Sequence, residues 1–182
     1  MKSYVFPVQD GVAYMGVKST VNPYNPGAYW WCAGCPNVFG GDDDGDDPFI
    51  TCHREAAEES HWKLDLNAAR ITFMEVTFPP NGIRSSFYYA TGFDYDQYAR
   101  LPAGLAIQAK YRKTTGEVLL LDLEDAYAHV GSNAAMATWM LMQLWIQFGG
   151  RNLGAARDQF VDSVTVTVFR RLVQRNAQQP IG

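Results

Sequence analysis

The chain has 182 residues, and its 15 Lys and Arg against 19 Asp and Glu give a formal net charge of −4. Hydrophobic residues make up 47% and aromatic residues 14%, which excludes the polar, highly charged composition of disordered chains and predicts a globular protein. Residues 42–59 hold eight acidic residues and one basic residue, a local charge of −7, whereas the rest of the chain carries +3. An extended nucleic-acid-binding surface is therefore not expected.

The first half of the chain is rich in strand patterns. Apolar-rich runs at residues 4–8 and 12–18 are separated by a Gln-Asp-Gly turn, which predicts a hairpin. The aromatic run at residues 28–33 predicts a further strand. Residues 71–78 and 85–93 are rich in β-branched and aromatic residues, so they predict a second hairpin with a longer loop.

The last third of the chain is helical in pattern, after a strand predicted over residues 118–121. Residues 133–148 are apolar on nearly every side, which predicts a helix that is buried or shared with a second copy of the chain. A homodimer is therefore expected. Apolar residues recur every fourth position over residues 160–172 and favour a final helix, although residues 164–168 alternate as a strand would.

We expect a single domain over residues 1–182, with a core over about 1–130 and a helical extension over about 131–182. The N-terminal apolar run is too short for a signal peptide, and three cysteines do not form a disulfide framework, so a cytoplasmic protein is expected. No membrane span is expected, because the apolar part of residues 134–148 has 15 residues and a span needs roughly 20.

The acidic window predicts a metal-binding helix. Asp47 followed by proline is typical of a helix start, because Asp accepts from free N–H groups and Pro lacks one, so a helix is predicted over residues 48–61. On that helix Glu55, Glu58 and Glu59 are placed at i, i+3 and i+4, so their carboxylates share one face. Such like charges repel unless a cation lies among them, and oxygen ligands of this kind suit Mg²⁺ or Mn²⁺.

The order of residues around this helix carries a family resemblance. The chain has Gly40, five residues, Asp46, seven residues, and then Arg54-Glu55-Ala56-Ala57-Glu58-Glu59. This pattern resembles the signature of the Nudix hydrolases, in which Gly, an acid, Arg and three Glu recur at the same spacing. The chain departs from the signature at Asp46, where the family has Glu, and at His61, where it has Gly, and Phe39 stands where the first Gly of the preceding loop is usual in the family.

The resemblance implies an α/β fold, the Nudix-like α/β/α sandwich with a mixed β-sheet. It also implies a metal-dependent hydrolase that cleaves a diphosphate linkage in a nucleoside diphosphate derivative, such as ADP-ribose, a dinucleotide or a nucleotide sugar. Water attacks phosphorus in that reaction, and Mg²⁺ or Mn²⁺ is the implied cofactor.

By the same resemblance Glu55, Glu58 and Glu59 are metal ligands, and either Glu58 or Glu55 takes the proton from water. The remaining implied roles are an orienting one for Arg54, a supporting one for Asp46 and a backbone carbonyl from Phe39-Gly40.

Four residues are weaker candidates for binding the small-molecule nucleotide substrate. The resemblance implies a further acid from a later loop, and Glu117 is the candidate. Lys110 and Arg112 would hold substrate phosphates, unless they form a solvated basic turn. Trp31 would stack on a base, unless it belongs to the core.

Two other interpretations stay open. The changes at Phe39, Asp46 and His61 allow a catalytically silent module of the same fold that binds a nucleotide or a protein. Cys32 and Cys35, with Cys52 and a neighbouring histidine, also offer zinc ligands or a redox pair, but we expect buried thiols, because adjacent helix positions diverge and no βαβ unit surrounds the pair.

Overall fold

A computed structural model describes residues 1–20, 22, 25, 27–78, 82–100, 117–149 and 156–182. Within these ranges the chain forms nine strands and five helices. The strands are β1 (Lys2–Gln9), β2 (Val12–Val17), β3 (Pro36–Asn37), β4 (Phe39–Asp42), β5 (Leu64–Asp65), β6 (Arg70–Thr77), β7 (Ser85–Thr91), β8 (Asp94–Tyr95) and β9 (Val118–Asp122). The helices are α1 (Pro48–Glu59), α2 (Leu123–Tyr127), α3 (Asn133–Phe148), α4 (Arg157–Val161) and α5 (Val164–Gln178).

Seven strands form one mixed sheet around β1. Strand β1 pairs with β7 in parallel, while β2 and β4 pair with it antiparallel. Strands β6 and β9 extend the sheet beyond β7 and β2, and both of these pairs are antiparallel. The two remaining strands, β5 and β8, form a separate antiparallel pair. The fold is therefore an α/β fold with a mixed sheet, as the sequence predicts.

The sheet is covered by helices on both faces, because successive strand residues point to opposite sides. On β1, Val5 packs with the α1 residues Cys52 and Ala56 in one apolar cluster. Its neighbour Phe6 packs in a second cluster with Met140 of α3 and Phe169 of α5. Both faces of the strand are buried, which explains its nearly continuous apolar sequence.

The helices after residue 130 complete this second layer. Helix α3 starts at Ser132, whose side chain accepts from the Ala135 N–H at 3.1 Å, and it ends before Gly149 in the left-handed conformation. The Gln147 side-chain oxygen of α3 accepts from the backbone N–H of Leu120 at 3.1 Å, and its amide donates to the Leu120 carbonyl at 2.6 Å. Helix α3 is thereby fixed to β9 by polar bonds as well as by apolar packing.

The structure confirms the two predicted hairpins, the helix after Asp47 and the helix over 133–148, with bounds shifted by a few residues. It also resolves the final segment as a helix. Ser163 accepts from the N–H of Val166 at 3.3 Å, and α5 buries Val166, Phe169 and Leu172 against the sheet. The 3.6-residue period thus prevails over the strand-like alternation of residues 164–168.

The strand predicted over residues 28–33 is wrong. Residues 31–34 form a turn in which the Ala33 N–H donates to the Trp30 carbonyl at 3.1 Å. Cys32 has φ +56° and Gly34 has φ +75°, a left-handed conformation that no strand contains. The aromatic residues that favoured a strand are largely exposed here, since Tyr29 and Trp31 are 72% and 54% exposed.

In the parts of the chain that the structure describes, no helix combines the length and apolar character that crossing a membrane requires. Helix α3, which the sequence predicts to be apolar on nearly every side, buries six residues, while several of its large apolar side chains are exposed. The exposed apolar residues on α3 are Met142, Trp145 and Ile146.

Gly40 is essential for the pairing of β4 with β1. It has φ +152°, and a Cβ added there would lie 2.7 Å from Tyr4 Cα and nearer still to the Ser3 carbonyl oxygen. We expect Gly40→Ala to lower the free energy of unfolding by about 2–4 kcal/mol, because backbone rather than a flexible side chain fills the space. Urea denaturation measures this difference.

Gly131→Ala is the matched control, since no heavy atom lies within 4 Å of its added Cβ and its φ is not positive. It should change the unfolding free energy by less than about 1 kcal/mol. Equal effects of the two substitutions would contradict the close approach of β1 and β4.

Candidate active site

Helix α1 presents its acidic face to strand β4. The Asp47 side chain accepts from the Phe49 N–H at 2.8 Å and starts the helix, and Pro48 occupies its first position. Thr51, Cys52 and Ala56 are buried against the sheet. Since three residues of the helix are fixed on that side, Glu55 and Glu59 fall beside Gly40 and Gly41 of β4.

Glu59 joins the helix to the strand. Its carboxylate accepts from the Gly40 N–H at 2.9 Å. Desolvation by burial raises the pKa of Glu59 to about 8, the Gly40 bond opposes this rise, and the charge of Glu55 adds to it. The charge of Lys18 favours the ionised form, and that of Glu58 disfavours it. The Gly40 hydrogen bond and the Lys18 charge therefore do not fully offset burial and the repulsion of Glu59 by Glu55 and Glu58.

The carboxylate of Glu55 lies against the next glycine. A Cβ added to Gly41 would meet the Glu55 carboxylate oxygens at 3.0 and 3.1 Å, so glycine is what allows this approach. Arg54 Nη1 pairs with Glu55 Oε1 at 3.1 Å, and Arg54 Nη2 donates to the Asp42 carbonyl at 3.2 Å. Arg54 also lies 4.0 Å from the Asp44 carboxylate. Arg54 therefore ties the helix to the loop and contacts Glu55 directly.

Asp43 is a site residue that the candidate set from the sequence does not include. It is 5% exposed, and within the described residues neither of its carboxylate oxygens has a hydrogen-bond partner. Burying an unpaired carboxylate is costly, and a cation relieves the cost. Asp46, which the sequence does select, is exposed, and its N–H donates to the Asp43 carbonyl at 2.7 Å.

The acids create a negative potential that reaches neighbouring groups. Burial raises the pKa of Tyr4 to about 12, and Glu59 is the charge that contributes most to this rise. Burial likewise raises the pKa of Cys52 to about 12, with Asp43 as the leading charge. Both effects are relieved by a positive charge near these carboxylates.

The three glutamates do not converge as expected. Across the described part of the chain, no three Asp, Glu, His or Cys side chains are grouped closely enough to hold a metal ion as they stand. Glu55 is held by Arg54 and Glu59 by the Gly40 N–H, while Glu58 lies half-buried beside them. The donor set is oxygen-rich and under-compensated, so it fits a hard divalent cation once the side chains turn toward it.

Three further residues that the sequence selects, Phe39, Trp31 and Glu117, have different surroundings in the fold. Phe39 is buried, and its backbone pairs with Val5. The Lys18 ammonium lies 5.8 Å from the ring centroid of Trp31, and the same ammonium acts on Glu59. The carbonyl of Glu117 accepts from the Val17 N–H at 3.1 Å, which fixes the start of β9.

Lys110 and Arg112 lie outside the described residues. A cavity of about 310 Å³ lies on the opposite face of the sheet, between β6, β7 and the end of α5. Its lining includes Tyr89 and Arg175, whereas the α1 side of β7 carries Tyr88, which contacts Phe49 at 5.6 Å between ring centroids. This cavity is therefore separate from the acidic site.

No protein-family model matches the chain, and no curated protein matches it. Among solved structures it is similar to a mutT/nudix family protein from Listeria innocua, at 18% identity over 70% of this chain and 80% of that one, with TM-score 0.45. It is similar to a MutT NUDIX hydrolase from Burkholderia pseudomallei, at 20% identity over 68% and 82%, with TM-score 0.45. An ADP compounds hydrolase is similar at 12% identity over 99% of this chain and 75% of that one, with TM-score 0.47. These three solved structures are described as a mutT/nudix family protein, a MutT NUDIX hydrolase and an ADP compounds hydrolase.

Proposed function

We propose that the chain is a Nudix-type, metal-dependent hydrolase that cleaves a diphosphate linkage in a nucleoside diphosphate derivative. The observation that carries the proposal is the junction of β4 and α1. There the Gly40 N–H holds Glu59, and the absence of a side chain at Gly41 admits the Glu55 carboxylate. Gly40, Glu55 and Glu59 are positions of the Nudix signature, and the bond between Gly40 and Glu59 joins two of them, which supports the proposal.

The cation proposed for this site is Mg²⁺ or Mn²⁺, held by Glu55, Glu58 and Glu59 with support from Asp46 and a backbone carbonyl of Phe39-Gly40. When bound, such an ion neutralises phosphate oxygens and makes water more acidic. The fit rests on the oxygen-only donor set and on the buried, unpartnered carboxylate of Asp43.

The chain's own residues orient the reactants. Glu58 or Glu55 accepts the proton of the attacking water, since the Glu59 carboxylate is already engaged by the Gly40 N–H. Arg54 keeps Glu55 in place through its 3.1 Å ion pair. Because Trp31 is exposed and its ring lies near the Lys18 ammonium, we propose that it stacks on the substrate base, with Glu117, Lys110 and Arg112 as further substrate contacts.

A second candidate is a catalytically silent module of this fold that binds a nucleotide or a protein. Two observations favour it: Asp46 is exposed, and Glu55 is already neutralised by Arg54. A location in the cytoplasm is proposed for either function, because Cys32, Cys35 and Cys52 are all free thiols.

Turnover of diphosphate compounds distinguishes the two candidates. With Mg²⁺ or Mn²⁺, the protein should hydrolyse at least one member of a panel of ADP-ribose, dinucleotides, nucleotide sugars, dinucleoside polyphosphates, nucleoside triphosphates and capped RNA. Glu58→Gln should lower kcat about 100-fold or more, because it removes a ligand or the proton acceptor. Release of phosphate or nucleotide, followed by chromatography, measures the rate.

Glu124→Gln, an exposed position on α2, is the matched control and should keep the wild-type rate. Chelation of the metal should abolish turnover, and added Mg²⁺ should restore it. If wild type cleaves nothing faster than Glu58→Gln, the hydrolase proposal fails, and binding without turnover would favour the silent module.

The crowded charge at Glu59 predicts that neutralising it stabilises the metal-free protein. Its raised pKa means that the folded chain holds the Glu59 proton more tightly than the unfolded chain. The ionised group therefore costs stability, increasingly from about pH 4.5 upward and fully above about pH 8. Glu59→Gln should raise the free energy of unfolding by about 1–3 kcal/mol at pH 9 in a chelator, because it removes the ionised carboxylate that burial disfavours.

The difference should shrink toward pH 5, and thermal melts across pH measure it. Glu58→Gln should give a smaller gain, because among the described residues no strand group binds the Glu58 carboxylate. Added Mg²⁺ should stabilise wild type more than Glu59→Gln, because the variant lacks one ligand. A destabilised Glu59→Gln at high pH would contradict the proposed charge crowding.

We also propose that the chain forms a homodimer through the exposed apolar face of α3. Met142, Trp145 and Ile146 lie at i, i+3 and i+4 on α3 and are 49%, 56% and 66% exposed, so they form one contiguous apolar patch. Ile146→Glu should convert the dimer to a monomer, as measured by light scattering coupled to size-exclusion chromatography. Tyr98→Glu, at a position 80% exposed in a loop, should leave the dimer intact. A monomeric wild type would overturn this proposal.

A further inference from the structure

The turn that replaces the predicted strand brings two cysteines together. The Cys35 N–H donates to the Cys32 carbonyl at 3.1 Å, which closes a four-residue turn. Turns of this kind place their first and last Cα atoms less than about 7 Å apart, the range in which a disulfide forms. Cys32 holds a left-handed φ of +56°, a conformation that non-glycine residues adopt rarely and at some cost.

The two side chains also interact directly. The Cys35 thiol hydrogen-bonds the Cys32 sulfur, and this bond lowers the pKa of Cys32 against the opposing effect of burial. The nearby Lys18 ammonium lowers it further. The same hydrogen bond raises the pKa of Cys35. The pair thus consists of one activated sulfur and one protonated thiol beside it, which is the arrangement that thiol–disulfide exchange uses.

Cys52 provides an internal contrast. It is equally buried, but it lies on α1 among Asp43 and Glu55, and burial raises its pKa to about 12. It therefore has the properties of an inert core thiol. Of the three free thiols, Cys52 is therefore an isolated core thiol, whereas Cys32 and Cys35 lie in the same turn.

We propose that Cys32 and Cys35 are a modification site that closes into a reversible intrachain disulfide by exchange with a small disulfide such as oxidised glutathione. The inference rests on the turn that the Cys35 N–H closes onto the Cys32 carbonyl and on the left-handed conformation of Cys32, and it is independent of the proposed hydrolase function. The missing βαβ unit that argued against a redox pair in the sequence is not required, because the turn itself supplies the geometry.

The exchange proceeds in two balanced steps. The Cys32 thiolate attacks one sulfur of the small disulfide, forms a mixed disulfide and releases one glutathione thiolate, which takes up the proton that Cys32 lost. The Cys35 sulfur then attacks the Cys32 sulfur, forms the intrachain bond and releases the second glutathione, which takes the Cys35 proton. Two protein thiols are oxidised, and one glutathione disulfide is reduced to two thiols.

Closure of the disulfide changes contacts with the C-terminal helices. The Cys35 sulfur lies 4.0 Å from the Ala156 carbonyl, and the Cys32 N–H donates to the Gln159 side chain at 3.0 Å. The single Cys35 S–H proton is shared between the Cys32 sulfur and the Ala156 carbonyl, and because the disulfide has no such proton, neither bond remains after closure. Because both cysteines are at most 4% exposed, exchange requires opening of this turn, and we expect it to be slower than for an exposed thiol.

The test uses the whole protein, folded, at equilibrium in buffers of varied reduced and oxidised glutathione. Thiols are then trapped with N-ethylmaleimide in denaturant, and intact mass is measured. We expect a transition from three alkylated cysteines to one, with peptide mapping that joins Cys32 to Cys35 and with full reversal by reductant. Cys52→Ala, the matched control, should give the same midpoint with one label fewer throughout.

Cys35→Ala should accumulate the glutathione adduct on Cys32 instead of a disulfide. The count of alkylated cysteines in the wild-type protein tests the proposal by itself, so a variant that fails to fold does not affect the result. Three alkylated cysteines at every glutathione ratio would overturn the proposal. A disulfide that involves Cys52, or one that forms only in denaturant, would overturn it as well.

Discussion

The bond between the Gly40 N–H and the Glu59 carboxylate is the contact on which the rest of the site depends. It requires that β4 lie flat against β1, and the Ser3 and Tyr4 backbone leaves room there for glycine alone. Once Glu59 is held, α1 is fixed in rotation, so Glu55 is directed to Gly41 and Arg54 to the loop. The Gly40 N–H thereby sets the orientation of the acidic face of α1.

That contact joins the two layers of the protein. Beneath it, Phe39 and Ala56 belong to the apolar cluster on the α1 side of the sheet. On the other side, α3 and α5 pack against the same central strand. The charged site is thus held on a rigid base, and its repulsion is balanced by apolar packing below it. This is the usual compromise at sites that gather like charges, where local stability is given up for a binding arrangement.

Much of this was predictable from local rules. The Asp47-Pro48 start, the glutamate spacing and the apolar periods of α3 and α5 are set within one or two helical turns, so the sequence predicts them directly. The inward position of Asp43 was not predictable, because it depends on left-handed φ values at Asp44 and Gly45 and on the partners it meets in the fold. The turn at Cys32 was missed for the same reason: its aromatic composition favours a strand, while its backbone conformation excludes one.

The side chain of Gln147 has a consequence for assembly that its local bonds do not show. Strand β9 lies beyond β2, and the amide group of Gln147 occupies both the donor and the acceptor of Leu120 at its middle. A strand of another molecule that approached β9 could not hydrogen-bond the Leu120 N–H and carbonyl, because Gln147 already binds both groups. The residue therefore protects an exposed edge from pairing with another chain and disfavours growth of the sheet into aggregates.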